Sequence, residues 1–561
     1  MNLANGAEKQ TDWLNIDWKK ANRRVRNLRQ RIFRAKQEGN LKKLRSLQKL
    51  MLRSYSNRLV SVRRVTQTNA GRKTPGIDKV VVKTPAARGR LVDELGHFRL
   101  WQARPTRRVL IPKANGKFRP LGIQVIVDRC LGAAVKNALE PEWEAQFEGS
   151  SYGFRPGRGC HDAIEKIYHL AHPYTRKKSI LDADICGAFD NISHEFVEEA
   201  IGQFPARKLI HQWLKAGYVY KEVLHPSEAG TAQGSVVSPL LANIALHGME
   251  KALGVKHNSR GDTTSKRALV KYADDFAVFC ESEEDAQTAK QVLIGWLSER
   301  GLKMADEKTR IVHLQEGFNF LGFNIRHYPA PTTNKIGLKV LIKPSKSSIQ
   351  KLKTRLKQEW KLVRAWNVKA IVARFNPIIR GWSNYFRIGV SSKIFQKLDY
   401  WMYHKQVRYA KRKHPTKSSK WLEAKYWGRL NLDRKDRWVF GDKKSGDYML
   451  KFGWFKIERH ILVKGKASAD DPGLQDYWRK RELAKAKDFI PSRQKIAWRQ
   501  KGVCPVCREN LFNEEEIHLH HINPKANGGK DSYSNLELVH LYCHQQIHSK
   551  LKEQAKCKEA V

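Results

Sequence analysis

The chain of 561 residues has few acidic side chains compared with its basic ones, and this imbalance limits the kinds of partner that it can bind. It contains 55 aspartates and glutamates against 106 lysines and arginines, which gives a formal net charge of +51. A surface this basic repels itself, and a polyanion relieves that repulsion while releasing counterions. The composition therefore predicts that the protein binds nucleic acid, with a membrane surface as the weaker alternative.

Long apolar runs and a disulfide-like cysteine pattern are also missing. No apolar stretch approaches the roughly 18 residues that a membrane-spanning helix needs, and residues 1–13 lack the apolar segment of a secretory signal. We therefore expect an intracellular protein, and the chain length predicts several domains. Only eight cysteines are present, and half of them fall within residues 504–557, which indicates a metal site rather than a disulfide framework.

Two adjacent carboxylates, Asp274 and Asp275, stand between two apolar runs in residues 268–279. The pattern predicts two strands of a tight hairpin that presents both acids at its turn. Buried neighbouring carboxylates repel each other and are costly to desolvate, so the turn implies a divalent cation, with an ordinary Asp-rich turn as the alternative. Strand alternation around Asp182 and Asp184 places both acids on one face, so that segment is a further source of carboxylates for the same cluster.

The first part of the chain is basic and periodic. Residues 17–37 and 41–51 carry apolar side chains at helical spacing, which predicts two amphipathic helices that contact RNA or simply expose a solvated face. Further on, Asn115 followed by glycine between β-type runs predicts a hairpin flanked by Lys113 and Arg119. Cations displayed on a hairpin suit a triphosphate, and an exposed surface pair is the alternative.

The segment that begins near residue 345 has apolar residues at helical spacing with lysines opposite, which predicts a helical domain. Trp382 and Tyr385 in this segment suit stacking on RNA bases, although such residues equally suit a core. Residues 411–438 interleave lysine and arginine with tryptophan and tyrosine, a pattern typical of a DNA-binding region. The turn-forming residues 468–473 predict a linker.

The last sixty residues hold a second chemical constellation. Two pairs at the same spacing predict a zinc site of three cysteines and one histidine: Cys504, Cys507, His540 and Cys543. His544 and His548, four residues apart, share one helix face and can hold a single ion. A purely structural zinc module is the alternative, but it leaves His520, His521 and Asn535 unexplained.

Seven ordered motifs carry a resemblance to a known family: residues 119–123, 151–158, 189–192, 230–243, 272–275, 307–309 and 320–323. With the C-terminal motif, they make the chain similar, from about residue 16 to about residue 548, to group II intron-encoded proteins. In that family a reverse transcriptase and maturase carries a C-terminal HNH endonuclease. The resemblance implies a multidomain α+β fold: a right-hand polymerase with fingers and an antiparallel palm sheet, a helical thumb or maturase domain, a basic DNA-binding region and a ββα-metal (HNH) domain.

The implied domains are a basic RNA-binding extension at 1–90, fingers and palm at 91–340, a thumb at 341–420, a DNA-binding region with linker at 421–495, and the HNH domain at 496–561. Three positions depart from the family pattern and bear on template or nucleotide fit. Gln124 stands where the family has proline, and Ala232 and Ser235 interrupt its Thr-Pro-Gln-Gly-Gly core.

The resemblance also assigns residues to the polymerase site. Asp184, Asp274 and Asp275 are implied as catalytic acids that bind two Mg²⁺ ions, whereas Asp182 and Asp190 are structural. The residues implied for nucleotide binding are Lys113, Arg119, Phe189, Gln233 and Lys308. Phe189 resembles the aromatic gate that excludes a ribose 2′-hydroxyl. A primer 3′-hydroxyl would attack the α-phosphate of a dNTP in line.

For the nuclease, the resemblance implies His521 as the general base and Asn535 as the residue that orients it. His520, His544 and His548 are implied as ligands of one divalent metal, Mg²⁺ or Mn²⁺. The zinc ion of the neighbouring cysteine and histidine site would be structural.

The resemblance therefore predicts an RNA-directed DNA polymerase and maturase that binds its intron RNA, promotes splicing, nicks target DNA and copies the intron by target-primed synthesis. The implied partners are group II intron RNA, target DNA and dNTPs, in a ribonucleoprotein of the cytoplasm or nucleoid of a bacterium, or of an organelle, without membrane association. One alternative is a splicing cofactor only, against which the intact Asp184, Asp274 and Asp275 argue. The other is a reverse transcriptase recruited to a role such as defence, which has no evident need for the basic thumb and the nuclease.

Overall fold

The computed structural model describes residues 10–113, 116, 118–259, 261–331, 336–513 and 515–559. Asn115 of the predicted hairpin turn and the side chain of Cys557 lie outside the described residues. In the part of the chain that is described, no helix is both long and apolar enough to cross a membrane.

The N-terminal unit contains four helices: α1 (Trp18–Gln37), α2 (Leu41–Arg53), α3 (Tyr55–Arg63) and α4 (Pro85–Glu94). The two predicted basic helices are confirmed as α1 and α2. Each begins where a polar side chain caps a backbone N–H group, because Asp17 accepts from Lys20 and Asn40 accepts from Lys43. Their apolar stripes are buried, which leaves most of their arginines and lysines exposed.

The next region alternates helices and strands: β1 (Thr106–Pro112), β2 (Phe118–Ile123), α5 (Ile126–Glu144), α6 (Cys160–Leu170), β3 (Ser179–Asp184), α7 (Ala188–Asn191), α8 (His194–Ile201), α9 (Arg207–Lys215), β4 (Tyr218–Tyr220), β5 (Val223–His225), α10 (Ser238–Ala245), α11 (Met249–Ala252), β6 (Ala268–Tyr272), β7 (Asp275–Cys280), α12 (Glu283–Ser298) and β8 (Arg310–His313). The predicted hairpin is confirmed, because β1 and β2 pair antiparallel and extend into the order β2-β1-β4-β5.

A second sheet, which we name the palm sheet, has the antiparallel order β6-β7-β3-β8. One face packs on a core that includes α12 and the N-terminal unit, and the other packs on a core that includes α6 and the later helices. In its register Asp184 lies opposite Asp275, and Tyr272 pairs with Asp275 across a two-residue turn. The predicted two-strand hairpin with its acidic turn is therefore confirmed.

Three strands follow and form a sheet in the order β11-β10-β9: β9 (Phe318–Phe320), β10 (Phe323–Pro329) and β11 (Leu338–Pro344). The predicted helical segment is present as α13 (Lys346–Leu362), α14 (Val368–Phe386), α15 (Ser392–Lys413) and α16 (Ser419–Tyr426). Trp382 packs on Phe386 with ring centroids 4.5 Å apart, and the Tyr385 hydroxyl donates to the Leu321 carbonyl at 2.9 Å. These two aromatic residues therefore serve the core.

A small sheet and two helices lead to the end of the chain: β12 (Trp427–Gly428), β13 (Val439–Asp442), β14 (Asp447–Tyr448), α17 (Gln475–Leu483) and α18 (Pro491–Arg499). The segment 468–473, predicted as a linker, is anchored to the N-terminal unit. Arg29 contacts Asp470 at 2.7 Å and Glu140 at 2.8 Å, and Ser468 is buried. Turn-forming residues occur both in free linkers and in segments packed on a domain surface. Their pattern therefore did not reveal the pairing of Asp470 with Arg29.

The C-terminal unit contains the antiparallel pair β15 (Ile517–His521) and β16 (Leu536–His540), followed by α19 (Leu541–Glu559). This order is the predicted ββα arrangement. The unit packs on the N-terminal helices, because the Tyr542 hydroxyl donates to the Gln67 carbonyl at 2.7 Å and Gln546 donates to the Leu14 carbonyl at 2.8 Å.

Candidate active sites

Asp184, Asp274 and Asp275 come together at one end of the palm sheet. Asp184 ends β3 opposite Asp275, the first residue of β7, and Asp274 occupies the turn between β6 and β7. The Lys308 ammonium contacts the Asp184 carboxylate and places a positive charge within the cluster. Among the described residues, the oxygen atoms of these three acids do not all lie within 4.8 Å of one another, unlike the ligand atoms of two histidine and cysteine groups near the C-terminus.

Burial and the neighbouring carboxylates disfavour charge on Asp274 and Asp275. Burial, followed by the charges of Asp184 and Asp274, raises the pKa of Asp275 to about 7, and Lys308 opposes that rise. Burial also raises the pKa of Asp274, which Lys308 and Arg119 lower. The hydrogen bond to Asp184 raises the pKa of Lys308. A cation would stabilise the ionised acids, so this oxygen-rich cluster fits Mg²⁺.

Asp182, on the same strand as Asp184, has a different environment. Burial raises its pKa to about 6, and the Arg310 guanidinium, which contacts it at 3.2 Å, lowers that pKa. An acid that already has an arginine partner on the neighbouring strand β8 suits the structural role that the sequence assigns to it.

Two of the sequence motifs hold the acidic turn in place. Ala273 has a φ of +57°, which is strained for a residue other than glycine. Gly153 lies directly against it, because a Cβ on Gly153 would stand 2.4 Å from the Ala273 backbone nitrogen. Asn243 donates to the Gly153 carbonyl at 2.9 Å, and Arg155 forms a fully buried bidentate pair with Glu144. The turn is therefore supported from outside its own hairpin.

The segments that carry Phe189 and Gln233 lie against each other, because the Thr231 N–H donates to the Phe189 carbonyl at 2.5 Å. The Phe189 ring meets Phe154 edge to face at 6.0 Å, and the Gln233 amide donates to Asp190 at 3.2 Å. Gly122 on β2 donates its N–H to the Gln233 carbonyl at 2.7 Å, which joins the sheet β2-β1-β4-β5 to the segment that carries Gln233. Asp190 thus positions Gln233, in agreement with its predicted structural role.

Two cations of the hairpin formed by β1 and β2, Lys113 and Arg119, are exposed. Lys113 directly follows β1, and Arg119 lies on β2. Both cations act electrostatically on acids of the site. Arg119 lowers the pKa of Asp274, which burial raises. Lys113 lowers the pKa of Asp190, which burial also raises. Arg108, which the sequence motifs did not single out, also lowers the pKa of Asp190. No local signal distinguishes Arg108 from the other arginines of the fingers.

A separate histidine cluster occupies the ββα unit. The ligand atoms of His520 on β15 and of His544 and His548 on α19 lie within 4.8 Å of one another. Burial, followed by the neighbouring histidines, lowers the pKa of His544 to about 4, and burial lowers the pKa of His520. Both imidazoles are therefore neutral at pH 7, which is the form that binds a metal, so the predicted ligand set fits one divalent ion.

His521, next to this cluster, has a partner that the sequence motif did not indicate. Its Nε2 lies 2.6 Å from the Asp531 carboxylate, which also contacts Lys525 at 2.7 Å. Asn535, predicted to orient His521, instead receives the Asn523 backbone N–H at 2.7 Å and donates to the Asn523 carbonyl at 3.0 Å. Asn535 therefore fixes the loop between the strands, and Asp531 contacts the imidazole directly.

The four predicted zinc ligands converge in a buried site: Cys504, Cys507, His540 and Cys543. Nδ1 of His540 lies 3.3 Å from the Cys507 sulfur, while its Nε2 lies 3.1 Å from the Asn510 carbonyl. Donation from Nε2 to that carbonyl leaves Nδ1 as the free ligand atom, as metal-binding histidines require. Three thiols and one such imidazole fit Zn²⁺.

The N-terminal unit contributes Arg63 to the surroundings of this zinc site. Its guanidinium lies 3.2 Å from the Cys543 sulfur and 3.3 Å from Glu515, and 4.6 Å from the centroid of the Trp18 ring. Arg63 is buried, so solvent screens little of the interaction between its charge and the Cys543 sulfur. No motif in the sequence pointed to this contact.

The fold and the two sites define a polymerase palm joined to a ββα nuclease unit. Family models match four segments: "N-terminal domain of reverse transcriptase" at residues 13–95, "Reverse transcriptase (RNA-dependent DNA polymerase)" at 111–325, "Group II intron, maturase-specific domain" at 349–427 and "HNH endonuclease" at 504–550. The chain belongs to the group II intron-encoded reverse transcriptases and maturases with an HNH endonuclease domain.

Curated relatives agree with this membership. Protein YkfC of Escherichia coli is 34% identical over 309 residues, which cover 48% of this chain and 80% of that protein. Group II intron-encoded protein LtrA of Lactococcus lactis subsp. cremoris is 29% identical over 383 residues, which cover 53% of this chain and 63% of LtrA. Maturase-like protein 1 of Euglena gracilis is 26% identical over 379 residues, which cover 66% of this chain and 77% of that protein. The match to LtrA thus spans slightly less than two thirds of LtrA.

Proposed function

We propose that the palm cluster is the active site of an RNA-directed DNA polymerase, in which Asp184, Asp274 and Asp275 hold two Mg²⁺ ions. The convergence of β3 with the turn between β6 and β7 carries this proposal, because it brings three acids to one point and the pKa values of two of them, Asp274 and Asp275, are raised. Bound Mg²⁺ would supply charge stabilisation for the attacking hydroxyl and the leaving phosphate. The carboxylates position that charge at the end of the sheet.

The residues around the cluster bind the nucleotide in this proposal. Two cations contact the triphosphate: Lys308, which lies against Asp184, and Arg119, which lowers the pKa of Asp274. Lys113 approaches from the fingers. Phe189 closes the side of the pocket where a ribose 2′-hydroxyl would lie, and Gln233, held by Asp190, lines the opposite wall. These contacts select and orient the dNTP without covalent chemistry by the protein.

The ββα unit is proposed as the nuclease that makes the primer. His521 accepts the proton of the attacking water, and its contact with Asp531 fixes the ring orientation. His520, His544 and His548 hold one divalent metal, either Mg²⁺ or Mn²⁺, which would stabilise charge on the scissile phosphate. Zn²⁺ at the cysteine and histidine site would hold the fold, and Asn535 shapes the catalytic loop.

The wider activity proposed is that of a mobile intron protein. The chain would form a ribonucleoprotein with its group II intron RNA and promote splicing of that RNA. It would then nick target DNA and copy the intron from the nick, with dNTPs as substrates. Its location would be the cytoplasm or nucleoid of a bacterium, or an organelle. The predicted domain limits (1–90, 91–340, 341–420, 421–495 and 496–561) remain our proposal for how these tasks divide.

Primer extension on an RNA template with Mg²⁺ tests the polymerase assignment. Asp274→Asn should abolish extension, because it removes a charge that the metal needs. Asp182→Asn is the matched control, since it makes the same change two residues from Asp184 at an acid paired with Arg310, and it should extend primers at close to the wild-type rate. Full activity of Asp274→Asn, or equal loss in both variants, would contradict the assignment.

A further inference from the structure

A cavity of about 560 Å³, distant in sequence from both metal sites, lies between α15 and the segment that carries β13 and β14. Five aromatic side chains line it: Tyr400, Tyr403, Trp438, Phe440 and Trp454. Residues 396–406 of the lining fall within the match to the maturase-specific domain, whereas residues 434–454 lie beyond it. The cavity therefore lies at the junction of that domain with the basic region that follows.

Two of these rings are unusually accessible. Tyr400 is 68% exposed and Trp438 is 49% exposed, although both belong to ordered elements or their borders. Tyr403 meets Trp438 edge to face at 6.2 Å, which holds the tryptophan ring beside the opening. Exposed rings that line one cavity offer flat faces on which a planar ligand can stack.

Two carboxylates add acceptors to the same wall. Asp399 receives the backbone N–H groups of Phe452 at 2.7 Å and Gly453 at 2.8 Å, and Asp436 receives the Trp454 indole N–H at 2.5 Å. Asp436 also pairs with the Lys451 ammonium at 3.7 Å. A carboxylate offers about four acceptor positions, so Asp399, which accepts two N–H groups, retains capacity for a ligand. Burial raises the pKa of Asp399 to about 6, and further N–H donors would stabilise its charged form.

The outer face of α15 beside the cavity is basic. Lys393, Lys397 and Arg408 are exposed at spacings that place them on one face of the helix, with Tyr400 between them. Such a stripe can neutralise phosphates along a strand, whereas in the cavity Arg434 and Lys451 are balanced by Asp399 and Asp436, so the cavity has no excess positive charge for phosphate. The basic stripe on α15 thus suits the phosphate backbone of a nucleic-acid strand, whereas the cavity suits a base.

We propose that this cavity binds one unpaired nucleobase, preferably guanine, of a single strand whose phosphates follow the basic stripe of α15. Guanine presents an N1–H and a 2-amino group, the donors that a carboxylate accepts in a bidentate manner, and it stacks well on tryptophan. An organic cation also suits an aromatic cavity with carboxylates. The net charge of +51 and the stripe disfavour the approach of a cationic ligand.

Photo-cross-linking to the full chain tests the proposal. The probe is a thymidine homopolymer with one central 6-thioguanine, and a uridine homopolymer with the same base compares RNA with DNA. Mass spectrometry should map the cross-link to residues 396–406 or 434–454 with at least one of the two probes. Trp438→Ala should lower the yield about tenfold, whereas Tyr174→Ala, which removes another exposed ring, should leave it unchanged.

Competition with unlabelled strands tests the base preference without any protein variant. A strand with guanine should compete about tenfold better than one with hypoxanthine, which lacks the 2-amino group. In Asp399→Asn this preference should disappear while the cross-link persists. Cross-links confined to other residues, competition independent of the base, or displacement by tetramethylammonium alone would overturn the proposal. The cross-link reads occupancy without turnover, so a failure of primer extension would defeat the polymerase proposal and leave this one standing.

Discussion

Replacing Asp275 with asparagine should stabilise the metal-free protein while it abolishes polymerisation. The pKa of Asp275 is raised from 3.8 to about 7 by burial and by Asp184 and Asp274. A difference of about three pKa units corresponds to roughly 4 kcal/mol at a pH above both values, which is an upper limit for what the neutral amide recovers. Relaxation of the exposed side of the cluster reduces this gain, and we expect about 1–2 kcal/mol.

The sign of the pH dependence follows from the direction of the shift. Between about pH 4 and pH 7 the folded protein retains a proton on Asp275 that the unfolded chain has lost, so stability falls as the pH rises through this window. Asp275→Asn removes that fall. Its advantage over the wild type should therefore be small near pH 4 and full at pH 8.

Thermal unfolding without added Mg²⁺, followed by intrinsic fluorescence at pH 5 and pH 8, measures this effect. At pH 8 the variant should melt about 2–4 °C above the wild type, and added Mg²⁺ should raise the melting temperature of the wild type more than that of the variant. Asp182→Asn should gain less, because the pKa of Asp182 is raised only to about 6 and the change also removes its pair with Arg310. A variant that melts below the wild type at pH 8, or that still extends primers, would refute the electrostatic reasoning.

Three further predictions concern other parts of the chain. Arg63→Met should speed release of zinc to a chelator by about tenfold, because it removes a buried charge beside Cys543; Arg26→Met, which breaks the exposed pair with Glu509, should release zinc at the wild-type rate. Phe189→Ala should lower the preference for dNTPs over rNTPs by about tenfold in single-nucleotide incorporation, and an unchanged preference would remove its role as a gate. Affinity for intron RNA should fall steeply and linearly on a logarithmic scale with added salt, and a flat response would contradict phosphate-dominated binding.

Local patterns in the sequence were sufficient for the elements that carry the chemistry. Alternation predicted the hairpin that presents Asp274 and Asp275, and helical spacing predicted α1 and α2. The ligand spacings near the C-terminus predicted two convergent groups, because the ligands of both groups lie within residues 504–548. In each case the signal and the structure span a few tens of residues or fewer.

Contacts between distant segments had no such signal. Arg63 and Cys543 are 480 residues apart, and Arg29 and Asp470 are 441 residues apart, so no periodicity connects them. Asp531 lies only ten residues from His521, but the loop geometry that brings them together depends on the side chain of Asn535. The sequence therefore predicted which residues do chemistry better than which residues hold them in position.

The central claim is that one chain contains two independent active sites, one that makes a primer and one that extends it. A duplex DNA target with the intron ribonucleoprotein and dNTPs tests this with Asp274→Asn and His521→Ala. The account predicts that Asp274→Asn still nicks the DNA without extending it, and that His521→Ala extends a primer supplied in advance without nicking. Loss of both reactions in each variant, with both proteins folded, would contradict it.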